Sequence, residues 1–577
     1  MKENGILKEA KTLLAEWCNR LLEFKVNIKD ERLYGGLLCP ACSMIHGRCS
    51  DLALPLIYLY SHTKDEKYKK AAVELVEYSE NNLLRPDGTY YNDVGTTWRG
   101  ISVFSALALG ETLLRFGELL DADVKQRWET IFTRLTDASV SFFESEINNA
   151  NVNYYAGLAA LLALRFFRFG KSEDKRLAEL YEIRCRESFD ESGLLCGEGG
   201  RASQRSAKGC SPIDIGYNLE ESLPLLINHA RWLGDGKKLE FYTSRVLDHL
   251  KLMLPDGGID NSFGTRMNKW TYYGSRTSDG IPALIHVANE NPIVARAVLE
   301  NLRLLKRCTH DGLLFGGPMQ ISAGEPPCIH HTFTHAKALT EFCLEFNEEG
   351  FNFLKDTLLP REQEGVKLIQ GGNVALASFG GFCATVNASD IPSSEANASC
   401  GGALSLLWHK DYGAILCATL HSYYPSEPAN MQYLRGSNKT HCMTARFVTD
   451  DGKYSSDTDM SVLLDVNGRD ITARSSDIPL SLKYTFSVDG ELEISIFSEL
   501  CGFYLLPIVS RDGDIIQKTN LGFSFSSVLH VESDTCAELC LDGEKRFFNQ
   551  VGGFRYAVLK FPCSEGERLK IKIKINR

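Results

Sequence analysis

The feature that most constrains this chain is a recurrence. Six loops rich in Gly, Asn and aromatic residues punctuate its first part: LLCPACSMIHGRCS (37–50), YYNDVGTTWRG (90–100), NNANVNYYAG (148–157), GEGGRASQRSAKGCSPIDIGYN (197–218), PDGGIDNSFGTRMNKWTYYGSRTSDG (255–280) and HDGLLFGGPMQISAGEPPCIHHTFTH (310–335). Each leads into a helix of small and apolar residues, such as ISVFSALALGETLL or GLAALLALRFF. The spacing, roughly 50–60 residues, suits two helices and their connections. A helical hairpin repeated in this way buries its apolar faces best by closing on itself. The pattern predicts an (α/α)6 toroid over residues 1–355, with the loops that enter the inner helices on one shared face.

From about residue 370 the apolar period changes from helical to two. GNVALASFGGFCATVNAS, SLKYTFSVDGELEISIFSE and RLKIKIKINR alternate apolar and polar residues between Gly, Asp and Ser turns. This predicts an antiparallel β-sandwich over 370–577, with 356–369 as linker. The fold class is therefore α+β multidomain, a toroid followed by a sandwich.

Charge and hydropathy narrow the partners. A net charge of −11 without any Lys/Arg run excludes nucleic acid as the main partner. The longest apolar run, YYAGLAALLAL, is cut by Arg165 and is too short for a bilayer, so no membrane partner is expected. The opening MKENGILKEAKTLLAEWCNRLLEF is amphipathic and charged, a first helix and not a signal peptide. With 18 cysteines it reads as a cytoplasmic chain with reduced thiols, or a secreted or periplasmic one if a leader was removed. Nothing indicates an oligomeric state.

The shared loop face carries the functional expectation. It gathers His46, Arg48, Trp98 and Arg99 from the first two loops, and Asn151, Asn153 and Tyr154 from the third. The later loops add Tyr217, Arg266, Trp270, Tyr272, Tyr273 and Arg276, and the last adds His330, His331 and His335. Aromatic planes beside Arg, Asn and His suit a sugar ring bearing a carboxylate: the ring stacks, and guanidinium holds the acid in a fork. Inner-helix N-termini add their positive dipole ends. An acidic polysaccharide or oligosaccharide is the expected substrate. The same aromatics could equally plug the end of a toroid, and the arginines could pair with Asp93, Asp214 or Asp279.

Metal chemistry is not expected. His331 and His335 have the i, i+4 spacing of a helical metal half-site, but HHTFTH lacks the Glu of the metalloprotease motif. CPAC (39–42), followed by Cys49, has no second CxxC to complete a site and reads as packed thiols. Proton transfer or substrate contact is the expected work of the histidines, with no cofactor and a structural metal ion left open.

A toroid followed by a sandwich, with Asn, Tyr, His and Arg on one face, resembles the heparinase II/III-like polysaccharide lyases. The segments GYNLEESLP and GGALSLLWHKDYGAILCATLHSYYPSEPANMQ are similar to that family's tyrosine-glutamate helix start and sandwich segment. The resemblance implies β-elimination on a uronate: a C5 proton is removed and the C4–O bond breaks. It implies that Asn153 and Arg276 hold the carboxylate, that Tyr217 is acid, base or both, and that His331 or His335 is the second proton carrier. The family's usual sandwich zinc site is not identifiable, although His409, His421 and His441 lie there. Two other readings stay open. A glycoside hydrolase would need paired carboxylates, with Glu198, Asp214, Asp93 and Asp260 available; a carbohydrate-binding scaffold would need only the aromatics and arginines.

Overall fold

The computed structural model describes residues 5–29, 31–92, 98–145, 150–275, 280–317, 319–323, 326–347, 357–391, 399–423, 440–511, 513–541 and 554–576. Its helices begin with α1 (Ile6–Glu23), α2 (Ala53–Thr63), α3 (Glu66–Asn82), α4 (Ser102–Phe116), α5 (Ala122–Ser145), α6 (Val152–Phe169) and α7 (Ser172–Arg186). They continue with α8 (Ile215–Tyr217), α9 (Leu223–Leu233), α10 (Gly236–Leu250), α11 (Pro282–Ala288), α12 (Pro292–Arg307) and α13 (Ile329–Glu345).

Two kinds of helix alternate, and their sequences say why. Helix α6, VNYYAGLAALLALRFFRF, is buried without a break from Ala156 to Arg165. A helix that is apolar all round belongs inside a bundle. It stops at Gly170, which takes the left-handed conformation (φ 71°) that a helix C-terminus favours. Helix α12 instead has one apolar face, a Pro in its first turn and Asn291 capping the amides of Ile293 and Val294. It is an outer helix.

The inner helices form a closed ring: α2 packs on α4, α4 on α6, α6 on α9, α9 on α11, α11 on α13, and α13 back on α2. Outer helices α3, α5, α7, α10 and α12 each pack on the inner helix before them in sequence. The remaining outer position is filled by α1, which packs on α13, so the start of the toroid is paired with its end. Leu14, Trp17, Cys18 and Leu21 of α1 are fully buried there, each large apolar side chain contributing about 1.5–3 kcal/mol. This is the expected (α/α)6 toroid.

The β-structure begins at Gly365 instead of 370. The strand Gly365–Ile369, placed by the sequence reading in the linker, pairs antiparallel with Val374–Phe379. Lys367 and Leu368 of this strand are exposed and only Ile369 is buried, unlike its wholly buried neighbour. A five-stranded sheet runs in chain order from Gly365–Ile369 to Gly413–Cys417. An eight-stranded sheet, with Leu480–Phe486, Glu491–Ser498 and Arg568–Ile575 at its centre, is antiparallel throughout, as is a four-stranded one.

Both faces of Val374–Phe379 and Ala403–His409 are buried. Ala375, Ala377, Leu404 and Leu407 join the sandwich core, whereas Val374, Leu376, Leu406 and Trp408 join the core of the toroid. The five-stranded sheet is thus a layer between the two units. Gln370 and Ser211 exchange hydrogen bonds of 2.8 and 2.9 Å across this contact, and Trp408 Nε1 donates to Asp256 at 3.1 Å. Among the described residues no helix is long and apolar enough to cross a membrane.

Candidate active site

The inner helices present their N-termini to one side, and the loops before them enclose a cleft of about 370 Å³. Arg48, Trp98, Asn153, Tyr154, Tyr217, Arg266 and His330, all expected from the loops, line it together with Asn151. Glu221 and Lys269, which the sequence reading missed, line it too.

An aromatic wall stands on one side. Trp98 Nε1 donates to Tyr154 Oη at 2.7 Å, and Tyr154 stacks on Phe143 at 5.1 Å. Gly100 makes this possible, since a Cβ there would lie 2.6 Å from the Tyr154 ring and 2.7 Å from that of Trp98. Burial pushes the Tyr154 phenol up, so it stays protonated.

The opposite side is polar and charged. Asp214 caps α8 by accepting from the Tyr217 amide at 2.9 Å, which fixes Tyr217 at the helix mouth. The chain then passes through a π-helical stretch, Asn218–Ser222, before α9. Such widened turns recur at functional sites, and here one carries Glu221 onto the cleft. Glu221 accepts from Asn153 Nδ2 at 2.7 Å and from Arg48 at 3.2 Å. Arg48 also pairs with Asp51 at 2.7 Å and lies 4.9 Å from the centre of the Phe104 ring.

Two cations converge on Tyr217. Lys269 Nζ donates to its Oη at 3.0 Å, and the Arg266 guanidinium sits 4.6 Å from its ring centre. They stand where they would stabilise negative charge developing on the phenol oxygen as it gives up a proton. Behind Arg266, at 3.3 Å, is Glu198, which also accepts from the Asn153 amide at 2.9 Å. Burial pushes the Glu198 carboxyl up to about 7, against the opposing pull of Arg266. Asn153 Oδ1 is buried without a hydrogen-bond partner among the described residues.

The three histidines separate. His330 lines the cleft, and burial, reinforced by His46 and Arg48, holds it well below the ordinary imidazole range, so it is neutral. His331 and His335 share the other face of α13. His331 Nδ1 lies 3.0 Å from Tyr273 Oη, and the ring of His335 meets that of Tyr273 edge-on at 5.2 Å. Residues four apart on a helix point the same way, which here is into the core.

Other expected residues also sit elsewhere. Trp270 is buried and donates to the Ile259 carbonyl at 2.7 Å. Tyr272 donates to Asp256 at 2.9 Å, and burial pushes both Tyr272 and Tyr273 well up. Arg99 pairs with Asp87 outside the cleft. His46 is buried against the sulfurs of Cys42 and Cys328. Arg276, expected to hold a carboxylate, lies outside the described residues, as does Asp93.

Among the described residues, the carboxylates named for hydrolysis (Glu198, Asp214 and Asp260) do not line the cleft. Both oxygens of Asp214 are engaged, by the Tyr217 amide and by Asn261 Nδ2 at 3.0 Å. Asp260 is buried against Arg361, Thr385 and Ser262 where the toroid meets the sandwich.

Within the sandwich, His421, Cys442 and Asp457 bring nitrogen, sulfur and oxygen donors within 4.8 Å of one another. Their types suit zinc, but Asp457 already accepts from Ser455 and has Arg446 at 3.9 Å. Three ligands also fall short of the four that a structural site takes. His409 lies apart, with its ring against Phe382, and the side chain of His441 is outside the described residues.

The chain has clear similarities to known proteins. A family model for the ulvan lyase N-terminal domain matches residues 14–362, and one for the ulvan lyase C-terminal domain matches 366–474. A broad-specificity ulvan lyase of Formosa agariphila is 35% identical over 527 residues, spanning 88% of this chain and 81% of that protein. Among solved structures, a chondroitin AC lyase of Streptomyces coelicolor A3 in complex with chondroitin sulphate superposes with a TM-score of 0.53 at 12% identity, covering 98% of this chain and 79% of that one. A heparinase III superposes with a TM-score of 0.50 at 10% identity, covering 98% and 83%. At these identities the two structures speak for the shared toroid-and-sandwich fold.

Proposed function

This chain belongs to the ulvan lyase family, and on that premise we propose that ulvan is its substrate and that Tyr217 is its principal proton carrier. The reaction class itself is β-elimination by a polysaccharide lyase acting on uronic-acid glycans.

The C5 proton of a uronate is weakly acidic, and removing it puts charge onto the carboxyl group. That charge must be met by fixed donors in a site with little water. Arg266, Lys269 and Arg48 supply positive charge around the cleft, and Asn153 is held beside them by Glu221 and Glu198. Tyr217 accepts or gives the proton, with Lys269 and Arg266 steadying its oxygen. Trp98 and Tyr154 offer ring faces and edges for the sugar. Neutral His330 contacts the substrate as a hydrogen-bonding group and is not an acid at neutral pH. His331 and His335 pack against Tyr273 away from the cleft, so Tyr217 serves both transfers: its phenolate takes the C5 proton and returns it to the departing C4 oxygen.

The single observation that carries the reading is the 3.0 Å contact of Lys269 with the Tyr217 hydroxyl on the cleft wall. Hydrolysis is disfavoured because Asp214 is spent on capping α8. The test is ultraviolet absorbance during incubation with ulvan and with other uronate polysaccharides. Elimination creates a C4=C5 double bond conjugated to the carboxylate, so absorbance rises. New reducing ends without that rise would overturn the elimination chemistry; a rise with other uronates and none with ulvan would overturn the substrate.

A further inference from the structure

We infer that Cys39, Cys42, His46 and Cys328 bind one structural zinc ion that ties the loop before α2 to the first turn of α13. In the sequence alone CPAC has no second CxxC to complete a site. The fold supplies the missing ligands from His46 and from Cys328, far along the chain.

The four ligand atoms lie within 4.8 Å of one another. His46 Nε2 is 3.5 Å from Cys42 Sγ and 3.2 Å from Cys328 Sγ. Tetrahedral zinc with Zn–S of about 2.3 Å and Zn–N of about 2.0–2.1 Å separates a sulfur from a nitrogen ligand by roughly 3.6 Å. The cluster is therefore already near ligand spacing.

Local structure holds it in that shape. Leu38 bridges to Ile45, the Cys39 amide donates to the Met44 carbonyl at 2.8 Å, and the Ser43 amide donates to the Cys39 carbonyl at 2.8 Å. Ser43 takes φ 57° to close this turn, which carries Cys39 and Cys42. Cys328 is the N-cap of α13, and its side chain makes no cap hydrogen bond. Cys39, His46 and Cys328 are buried and Cys42 is half-buried, and none of the chain's cysteines is in a disulfide. Three thiolates and an imidazole select zinc over the hard cations, which prefer oxygen.

The full chain, purified in reducing buffer without chelator, is assayed for metal by inductively coupled plasma mass spectrometry. It should carry zinc, and Cys39→Ser and Cys328→Ser should each lose one equivalent relative to the parent. Cys563→Ser, a buried thiol of the sandwich, should lose none. Replacement of zinc by Co²⁺ in the unsubstituted chain should give the intense visible bands and thiolate charge-transfer absorption of a tetrahedral, sulfur-rich site, a readout that does not depend on a variant folding. Absence of zinc, a Cys39–Cys42 disulfide found by alkylation and mass spectrometry, or undiminished zinc in a folded Cys39→Ser/Cys328→Ser chain would each overturn the assignment. So would a cobalt spectrum without thiolate bands.

Discussion

Glu198→Gln is the sharpest probe of the cleft. Burial raises the Glu198 carboxyl from 4.5 to about 7, and at 1.36 kcal/mol per unit this is about 3 kcal/mol in favour of the protonated form. Below about pH 7 the residue is neutral, and Arg266 at 3.3 Å keeps its charge for the substrate. Above 7 the carboxylate forms and competes with the uronate for that guanidinium. If substrate binds only to the neutral form, KM rises up to about tenfold per pH unit above 7. Gln keeps an oxygen for the Asn153 amide but cannot ionise, so the variant's KM should stay flat from about pH 6 to 9. The stability effect has a defined sign as well. Because the folded-state value is raised, the acid form's stabilisation is full below about 4.5 and is lost as pH rises through about 7, a decline that Gln removes. Initial rates of absorbance increase, measured at several ulvan concentrations and pH values, give both KM curves. Parallel rises in parent and variant, or a flat parent, would refute the role given to Glu198.

Four further outcomes are expected. Tyr217→Phe should lower kcat by about 10²–10⁴ with an unchanged melting temperature, as fits removal of a proton carrier. Lys269→Met should lower kcat by about 10² with a smaller change in KM, because the charge it steadies appears mainly in the transition state. His330→Gln should impair turnover, whereas His331→Gln should lower the melting temperature and leave kcat per folded molecule nearly intact, and steady-state kinetics with calorimetry separate the two. Leu14→Ala, at the packing of α1 on α13, should cost about 2–5 kcal/mol, read by urea denaturation.

The toroid was legible because its repeat is written in composition: the loops recur, and a helix such as GLAALLALRFF declares that it has no solvent face. The cleft was legible in part. Arg48, Asn153, Tyr154 and Tyr217 sit at the mouths of inner helices, and loop position alone places them. Lys269 escaped notice because it is flanked by Asn and Trp, and it matters only once the fold sets it against Tyr217. Glu221 reads as an ordinary helical glutamate; only the π-helical stretch turns it into the hub between Asn153 and Arg48. The histidines misled through register. His331 and His335 share one side of α13 and His330 lies on another, and HHTFTH does not say which side faces the cleft. The strand Gly365–Ile369 was missed because it is short, largely exposed and follows directly on the helical turn at Pro360–Glu362.

The seam between α1 and α13 also sets a timetable for synthesis. Residues 6–23 must wait for residues 329–345. At about 5–20 residues per second the wait lasts some tens of seconds. Closing so long a loop costs about 5 kcal/mol of chain entropy by the 1.5RT ln n rule. Until then the ring is an open arc with apolar α2 unpartnered on one side, the kind of surface that chaperones bind. A chain ended before α13 would lack the sixth inner helix and, with it, the His330 side of the cleft.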